Sequence, residues 1–543
     1  MATKIMAKKK HPLHPDAPLL LNDHPRPVTR RELIAQSFLM GGATLIGGPL
    51  LGLYGSPAQA ALSADIIAKR AACGIAAQGN GKIPFICFDL AGGANLVGSN
   101  VLVGQKGGQM DFLSAAGYSK QGLPATMAPN ASQTANATLV DTSLGLAFHG
   151  DSAILRGIKT RVKTTTSANT NGAVIAARSE NDTSNNPHNP MYGIFKAGAS
   201  GSLLSLIGSV NSDSGGNSMS PASMINLEVR PTKVDNPNDV TGLVDVGDLV
   251  SIMNQQDTVS VMESMYRLSD AKLKNVATGT TRDAALKEMM RCGYVKSADL
   301  ADRFGDPSAI NPLADPDIVG PAGIFTSAEF NADSELRKTA SVMKLVVNGY
   351  AGAGTITMGG FDYHTGDRAT GEKRDFRAGT CIGACLEYAA RKGMPLMIYV
   401  FSDGSLFSNG MVDNSVDGRG KGQWTGDDQQ TASSFFLVYN PTRRAILMDG
   451  TSADPATISM AQRVHQQIGY FRASGDVETG SSPAGNNVNL LVETLILNYM
   501  ALHGEQASFG TTFKGHGLGN SVMQDKLTAF QPIVDKIITK PFA

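Results

Sequence analysis

The sequence predicts an α/β protein with a three-layer α/β/α arrangement, in which helices cover both faces of a mainly parallel central sheet. Between Asp333 and Asp403 the apolar pattern alternates helix, strand, helix, strand, and the crossovers are long enough to make the strands parallel. Far upstream, Ile83 to Phe88 has the continuous apolar character of another buried strand. The 543 residues could hold more than one domain, although a single α/β unit of this size is common.

The N-terminal 60 residues have the features of an export signal. Arg30 and Arg31 precede a glycine-rich apolar run over 38–54, and an Ala-x-Ala sequence ends at Ala60. This combination predicts a twin-arginine signal peptide over 1–60, recognised by the twin-arginine translocase, and a periplasmic or extracellular location. The apolar run is shorter than the roughly 20 residues that a spanning helix needs, so we expect no membrane span in the mature chain.

The overall composition excludes some classes of partner. Of the residues, 42% are hydrophobic and 17% are charged, and the formal net charge is zero. This balance gives no electrostatic reason to expect nucleic acid or an anionic membrane surface as a partner. The 60 glycines have no fixed period, which indicates long loops rather than a repeat architecture.

The elements between Asp333 and Asp403 can be placed in order. The first helix begins at Ser334, the predicted N-cap, and stops at Asn348. A strand over 355–358, a second helix that ends before Gly393 and a strand over 396–401 follow. Upstream, a stretch with helical periodicity predicts a helical insertion at about 225–330 within a domain that covers 61–543.

Three of the predicted strands lead to an aspartate. The residues concerned are Asp89, Asp362 and Asp403, and His364 lies two residues after Asp362. Because the carboxyl ends of parallel strands meet at one edge of a sheet, we expect these side chains to lie together. Carboxylates gathered in this way repel one another and lose hydration unless a cation compensates, so a divalent metal ion is expected. The alternative is that each aspartate only closes a strand or caps a helix.

The order of these motifs resembles the alkaline phosphatase and sulfatase superfamily. More closely, it resembles a twin-arginine-exported bacterial family that is catalogued only as a domain of unknown function. The matching segments are Asp89 to Asn95, Ile154 to Ile158 leading to Thr166-Ser167-Ala168, Gly360 to His364, Phe401 to Gly404, and Gly426-Asp427-Asp428. The resemblance therefore implies an alkaline phosphatase-like fold and covers roughly residues 80 to 450.

The resemblance also implies roles for individual residues. Asp89 and Asp403 would bind one metal ion, and Asp362 and His364 would bind another. Ser167 would be the nucleophile, with Thr166 or Thr170 as substitutes. Asp428, or its neighbour Asp427, and Asn95 would supply further oxygen ligands.

The sequence departs from the superfamily pattern at two ligand positions. Gly404 follows Asp403 where superfamily phosphatases have histidine, and Asp427-Asp428 stands where a later histidine is expected. His516 is the candidate replacement. The remaining ligands are mostly oxygen atoms, which favours Ca²⁺ or Mg²⁺ over Zn²⁺.

Two functions follow from this sequence. The first is an exported, metal-dependent hydrolase of phosphate or sulfate esters with a degenerate metal site, acting on a small-molecule ester. The second is a non-catalytic alkaline phosphatase-like protein that binds an envelope component or serves in assembly.

Three other segments have a structural interpretation as well as a functional one. The loop Asn181 to Asn189, which contains His188, is expected to be turn material. Trp424 could stack on a substrate or close its own loop. Cys381 and Cys385 have a spacing that could hold a metal ion, but apolar packing in a helix is the expected role.

Overall fold

Eight strands form one twisted sheet, and seven of them run in the same direction. The computed structural model describes residues 62–75, 79–129, 139–179, 186–245, 253–305, 307–452 and 460–538. Its strands are β1 Phe85–Leu90, β2 Val140–Asp141, β3 Phe148–His149, β4 Thr170–Ala176, β5 Leu204–Gly208, β6 Thr232–Lys233, β7 Ala351–Met358, β8 Leu396–Phe401, β9 Leu406–Asp413, β10 Lys421–Asp427, β11 Ser433–Tyr439 and β12 Gln467–Ile468.

The strand order in the large sheet is β12-β4-β11-β8-β1-β7-β5-β6. Strand β1 is parallel to both β7 and β8, and β11 is antiparallel to its neighbours β4 and β8. Strands β9 and β10 form a separate antiparallel hairpin, as do β2 and β3. The sheet is therefore mainly parallel, as the sequence predicts.

Helices lie on both faces of this sheet. The α-helices are α1 Ala64–Ala72, α2 Ala115–Lys120, α3 Ala153–Lys159, α4 Thr164–Ala168, α5 Met191–Lys196, α6 Pro237–Gly242, α7 Gln255–Lys274, α8 Asp283–Phe304, α9 Ser327–Ala332, α10 Ser334–Val347, α11 Arg368–Lys392, α12 Met460–Gln466, α13 Val488–Leu502, α14 Phe509–Thr512 and α15 Ser521–Lys526. Short 3₁₀ turns cover Ala222–Met224, Leu227–Val229, Pro307–Ala309, Pro483–Asn486 and Gln506–Ser508.

Alternate residues of β1 enter different hydrophobic cores. Ile86 and Phe88 belong to the core that includes the apolar faces of α10 and α11, whereas Phe85 and Cys87 belong to the core that includes α5 and α13. All six residues of the strand are buried. Burying one large apolar side chain contributes about 1.5–3 kcal/mol, so a strand covered on both faces is strongly held between the two helical layers. These two cores confirm a three-layer α/β/α arrangement.

The observed element boundaries differ slightly from the predicted ones. Strand β8 has the predicted bounds, but the N-cap of α10 is Asp333, whose carboxylate accepts a hydrogen bond from the Glu335 amide at 2.8 Å. The prediction of Ser334 as the cap was therefore wrong by one residue. Strand β1 extends through Leu90, so Asp89 lies inside the strand and not after it.

A third, smaller core lies in the region of the predicted insertion. Helix α1 packs against α7 and α8 there, and a disulfide joins Cys73 at the end of α1 to Cys292 in α8. None of the helices in the described part of the chain is long and apolar enough to cross a membrane. The predicted signal peptide over 1–60 lies outside the described residues.

A candidate metal site at the carboxyl edge of the sheet

Five loops meet at the carboxyl edge of the parallel strands. They follow β1, β4, β5, β7 and β8, and they carry Asp362 and Asp403. Of the other candidate aspartates, Asp89 lies one residue before the end of β1, Asp427 is the last residue of β10, and Asp428 follows it. Asp428 follows β10 and reaches Ser405 in the loop after β8, because its backbone amide donates to the Ser405 carbonyl at 2.9 Å. The predicted metal ligands therefore all come to one edge, but they occupy two different environments.

Asp89 and Asp403 form the buried part of this edge, and both are completely inaccessible to solvent. Asp89 Oδ2 accepts hydrogen bonds from the backbone amides of Asn217 and Ser218 at 2.6 and 2.9 Å, and Oδ1 accepts one from the Ser218 hydroxyl at 3.2 Å. Asp403 Oδ1 accepts a hydrogen bond from the Gly92 amide at 3.3 Å. These donors therefore compensate much of the negative charge for which the sequence predicts a bound cation.

The pKa of Asp89 shows how complete this compensation is. The pKa is raised from its usual 3.8 to about 6; burial is the largest cause, the negative charge of Asp403 also raises it, and the hydrogen bonds from Ser218 and Asn217 lower it. A carboxylate with its ordinary hydration has the lower value. The donors of the loop after β5 therefore offset part of the cost of burying Asp89, but not all of it.

Asp362, His364 and Asp427 form the accessible part of the edge. His364 Nε2 lies 2.9 Å from Asp362 Oδ1 and 4.0 Å from Asp427 Oδ1. Their side chains are 58, 32 and 48% exposed in the order Asp362, His364, Asp427. One ligand atom from each residue lies within 4.8 Å of the other two. These three residues, called the Asp-His-Asp cluster below, are the one group in the described part of this edge with such spacing.

The spacing of the cluster fits a single metal ion. Two ligand atoms about 2.1 Å from one ion lie about 3 Å apart when they are adjacent and about 4 Å apart when they are opposite. Both distances from His364 Nε2 fall in this range. Two carboxylate oxygens suit Mg²⁺ or Ca²⁺, as the sequence predicts, and also Mn²⁺, whereas the imidazole nitrogen adds a preference for a transition metal ion such as Zn²⁺. Mn²⁺ and Zn²⁺ are therefore useful probes of this cluster.

The backbone around Gly92 connects the buried and accessible parts. The Phe361 amide donates to the Ala91 carbonyl at 3.1 Å, which places the loop after β7 against the loop after β1. Gly92 has φ 134°, and a Cβ atom at this position would lie 2.4 Å from the Asp362 amide nitrogen. Only glycine therefore allows Asp362 to lie this close to the loop that also contacts Asp403.

Asp428 has a different role from the one predicted. Its Oδ2 lies 2.7 Å from Lys120 Nζ, and its Oδ1 accepts a hydrogen bond from the Gln430 amide at 2.7 Å. This aspartate therefore forms an ion pair, and its neighbour Asp427 is the one that joins the cluster. From the sequence, Asp428 is the predicted ligand and Asp427 is its alternative.

Ser167 lies at the opposite edge of the sheet. It belongs to α4, which precedes β4, and the first residue of β4 is aligned through β11 with Leu396, the first residue of β8. Strand β4 has seven residues, so Ser167 is about 20 Å from the carboxyl edge at roughly 3.3 Å per residue. Thr166 and Thr170 share this position, and the Thr166 hydroxyl donates to Glu387 Oε2 at 2.7 Å. None of the three can act on a substrate held by the cluster.

The hydroxyl group nearest in sequence to Asp403 is also engaged elsewhere. Ser402 Oγ donates to the Leu90 carbonyl at 2.7 Å and accepts a hydrogen bond from the Ala94 amide at 2.9 Å. Ser402 is nearly inaccessible. Its hydroxyl therefore joins two loops of the edge and is not available as a nucleophile.

Two functional features of this edge escaped the sequence analysis. Asn217 and Ser218 lie in a Gly/Ser/Asn-rich loop, and such a loop after a strand is a signal for free backbone amides that could have been used. The second feature is the loop after β4, which was interpreted as turn material. Its Asn186 donates to the Asp403 carbonyl, and Asn189 donates to the Thr355 hydroxyl at 3.2 Å.

His188 is the unusual residue of that second loop. Its ring stacks on Phe401 at 5.8 Å, and the residue is only 4% exposed. Among the described residues, which exclude 180–185 of this loop, neither ring nitrogen has a hydrogen-bond partner. Burial lowers the pKa of His188 to about 3, so the ring is neutral. The ring therefore packs as an apolar group against Phe401 at the end of β8.

The remaining candidates lie away from ligand-accessible positions. Trp424 is completely buried and lies over the Arg368 guanidinium at 4.6 Å, so it closes its own loop. His516 packs against Phe509 at 5.1 Å, in the region between α14 and α15. Asn95 is buried, and its amide donates to the Leu406 carbonyl at 3.0 Å. Cys381 and Cys385 are free and buried in α11, as apolar packing requires.

Arg374 is a cation that contacts the loop carrying Asp362 and His364. It lies in the second turn of α11, and its Nη1 donates to the Gly359 carbonyl at 3.0 Å, in the loop that carries Asp362. Among the described residues no carboxylate lies within ion-pair distance of it. A guanidinium has five N–H donors, so most of those of Arg374 remain for another acceptor.

Comparison with known proteins does not extend this description. No family model matches the chain, and neither a curated protein nor a solved structure is significantly similar to it.

Proposed function

We propose that the protein is an exported, metal-dependent hydrolase of phosphate or sulfate esters with an alkaline phosphatase-like fold, in which Asp362, His364 and Asp427 hold the metal ion. The observation that carries the proposal is the Asp-His-Asp cluster. Structural zinc sites are closed by four protein ligands, whereas catalytic sites have three and keep a position for water or substrate. Three ligand residues, of which Asp362 and Asp427 are exposed and His364 is half-buried, match the catalytic type.

The cluster makes a serine nucleophile unnecessary. A bound divalent ion lowers the pKa of its water and so supplies hydroxide at neutral pH. The chain would hold that ion in place through two carboxylates, Asp362 in the loop after β7 and Asp427 at the end of β10, and through the imidazole of His364. The distance of Ser167 from the edge is therefore compatible with hydrolysis, although it differs from the mechanism that the resemblance implies.

The charge around the cluster favours an anionic substrate. Arg374 extends from α11 to the loop that carries Asp362, and its remaining donors match the oxygens of a phosphate or sulfate group. A metal ion at the cluster would add further positive charge near that loop.

The Cys73–Cys292 disulfide supports export. Disulfides form in oxidising compartments and are rare in the cytoplasm, where thiols are kept reduced. This one closes a loop of 219 residues between α1 and α8. It agrees with the twin-arginine signal that the sequence predicts and with a periplasmic or extracellular location.

A second candidate function is binding without catalysis, with an envelope component as the partner. It is favoured by the buried pair, because backbone amides and not a metal ion satisfy the Asp89 carboxylate. In this case the aspartate at the end of β1 maintains the fold and the superfamily metal site has been lost.

The experiment that separates the two is metal binding to the mature protein, measured by calorimetry with Mn²⁺ and Zn²⁺. Asp427→Asn and His364→Ala remove ligands of the cluster, and Asp428→Asn is the matched control, because it changes a neighbouring carboxylate that is paired with Lys120. We expect one equivalent of metal in the wild type and in Asp428→Asn. We expect affinity to fall at least about tenfold in the two cluster variants.

Hydrolysis is then measured with aryl phosphate and aryl sulfate esters. The proposal predicts turnover that depends on added metal and is lost in Asp427→Asn. Arg374→Ala should raise KM. Lys373→Ala removes another cation of α11, one that is paired with Asp417, and should leave KM unchanged. Metal binding without turnover of either ester class would favour the binding function, and no metal binding would exclude the hydrolase.

A further inference from the structure

The N-terminal turns of α11 contact both chain segments that carry the cluster. One segment is the loop after β7, where Tyr363 lies between Asp362 and His364. The other is β10, where Trp424 precedes Asp427 by three residues. Both aromatic side chains are buried, at 3 and 0% exposure, whereas the ligands beside them are exposed. The segments that carry the ligands are therefore anchored by neighbouring aromatic side chains that are buried in the fold.

Tyr363 is fixed by a buried chain of hydrogen bonds. Its hydroxyl donates to Asp375 Oδ1 at 2.8 Å, and Asp375 Oδ2 accepts a hydrogen bond from Asn100 Nδ2 at 2.7 Å. Asn100 Oδ1 in turn accepts hydrogen bonds from the Ser152 hydroxyl and the Ile154 amide at 3.0 and 3.2 Å. The position of Tyr363 is thus coupled to the start of α3 through four residues that are all buried.

Trp424 is fixed on the same helix. Its ring lies over the Arg368 guanidinium, and its carbonyl accepts a hydrogen bond from the Gly366 amide at 2.7 Å. Gly371 lies between the two rings. A Cβ atom there would be 2.9 Å from Tyr363 Cε2 and 3.2 Å from Trp424 Nε1, so both rings pack against its bare backbone.

We propose that Tyr363 is a positioning residue for the metal site, and that the first two turns of α11 set the separation between the Asp362–His364 pair and Asp427. The inference rests on the proposed metal binding by the cluster. Side chains behind the ligands of a metal site commonly set affinity, because they fix the orientation of the ligands before the ion arrives. Neither Tyr363 nor Gly371 contacts the ion in this arrangement.

Two variants test the proposal, each with a matched control. Tyr363→Phe removes only the hydroxyl group that Asp375 accepts. Tyr499→Phe removes an equally buried hydroxyl that donates to the Ile83 carbonyl at 2.8 Å, at the other end of the sheet. Gly371→Ala places a methyl group between the rings, and Gly293→Ala places one on α8 with no atom within 4 Å.

The readouts are Mn²⁺ affinity and the visible spectrum of the Co²⁺-loaded protein, at a temperature where every variant is folded. We expect Tyr363→Phe and Gly371→Ala to bind one equivalent with about tenfold lower affinity and with a changed Co²⁺ spectrum. Tyr499→Phe and Gly293→Ala should match the wild type in both readouts, even though Tyr499→Phe lowers the melting temperature.

The possible failures are distinguishable. If the wild type binds metal and Tyr363→Phe binds it with the same affinity and spectrum, the positioning role is wrong and the metal site stands. The same conclusion follows if Tyr363→Phe and Tyr499→Phe lose affinity equally, since the loss then reflects general stability. If the wild type binds no metal, both proposals fail.

Discussion

Replacing Asp89 by asparagine should make the stability of the protein less dependent on pH. Asp89 is completely buried, and burial raises its pKa from the usual 3.8 to about 6. The folded state therefore binds a proton at this carboxyl more tightly than the unfolded state does. Between these two pKa values the folded chain carries more protons, so its stability falls as the pH rises through this window.

The size of the effect follows from the pKa shift. The rise from 3.8 to about 6, at about 1.36 kcal/mol per pKa unit, gives a loss of about 3 kcal/mol, which is absent well below pH 3.8 and complete well above pH 6. Because each state is only half titrated at its own pKa, part of the loss lies outside the range, and about 2 kcal/mol falls between pH 4 and pH 7. Asparagine has no such titration, and any change in its hydrogen bonds to Asn217 and Ser218 applies equally at all pH values.

The assay is urea denaturation of the wild type and Asp89→Asn at several pH values from 4 to 7, with a metal chelator present. We expect the variant to gain about 2 kcal/mol relative to the wild type as the pH rises over this range. Asp375, whose pKa burial also raises to about 6, is present in both proteins and cancels in the difference. Parallel pH profiles would show that the pKa of Asp89 is not raised in the folded protein.

Three further predictions concern other parts of the fold. Gly92→Ala should cost at least about 1–3 kcal/mol in urea denaturation and weaken Mn²⁺ binding, because its Cβ would collide with the Asp362 amide; unchanged values would contradict the close approach. Ser167→Ala should leave ester turnover unchanged, and a large loss of kcat would show that the nucleophile had been misplaced. Cys292→Ser should lower the free energy of unfolding by about 2–4 kcal/mol. Dithiothreitol should lower the free energy of unfolding of the wild type by a similar amount and leave that of the variant unchanged.

The helix and strand pattern over 333–403 could be predicted because its signals are local. Six consecutive residues of β8 are buried on both sides, and a polar N-cap precedes α10. The order of the strands depends on pairing between distant segments. Strand β11 pairs antiparallel between β4 and β8, and nothing in its own seven residues distinguishes it from a parallel strand.

The position of Ser167 illustrates the same limit. A residue that precedes a parallel strand lies at the amino edge, and one that follows it lies at the carboxyl edge. The run Thr170–Ala176 begins with polar residues and lacks the apolar character of a buried strand there, so the sequence does not indicate the direction of the chain after Ser167. Motif order alone therefore placed the serine with the aspartates, whereas the strand separates them.

The choice between Asp427 and Asp428 depends on the irregular pairing of the hairpin. The register of β10 against β9 shifts between Gly422 and Trp424 and again before Gly426. Successive residues of a strand point to opposite sides, so each shift can reverse which aspartate faces His364. A prediction from sequence has no means of locating such shifts, because they depend on how two strands fit together.

The structure separates two uses of carboxylates that look alike in the sequence. A buried aspartate such as Asp89 must be compensated permanently, because an unpaired buried charge costs several kcal/mol, and backbone amides of the loop after β5 provide this compensation. Exposed aspartates such as Asp362 and Asp427 remain hydrated and cost little without an ion. An ion that must enter and contact substrate is better held by the second kind. The proposed metal-binding role therefore fits the Asp-His-Asp cluster, whereas the buried pair fixes the loops after β5 and β1 through Asn217, Ser218 and Gly92.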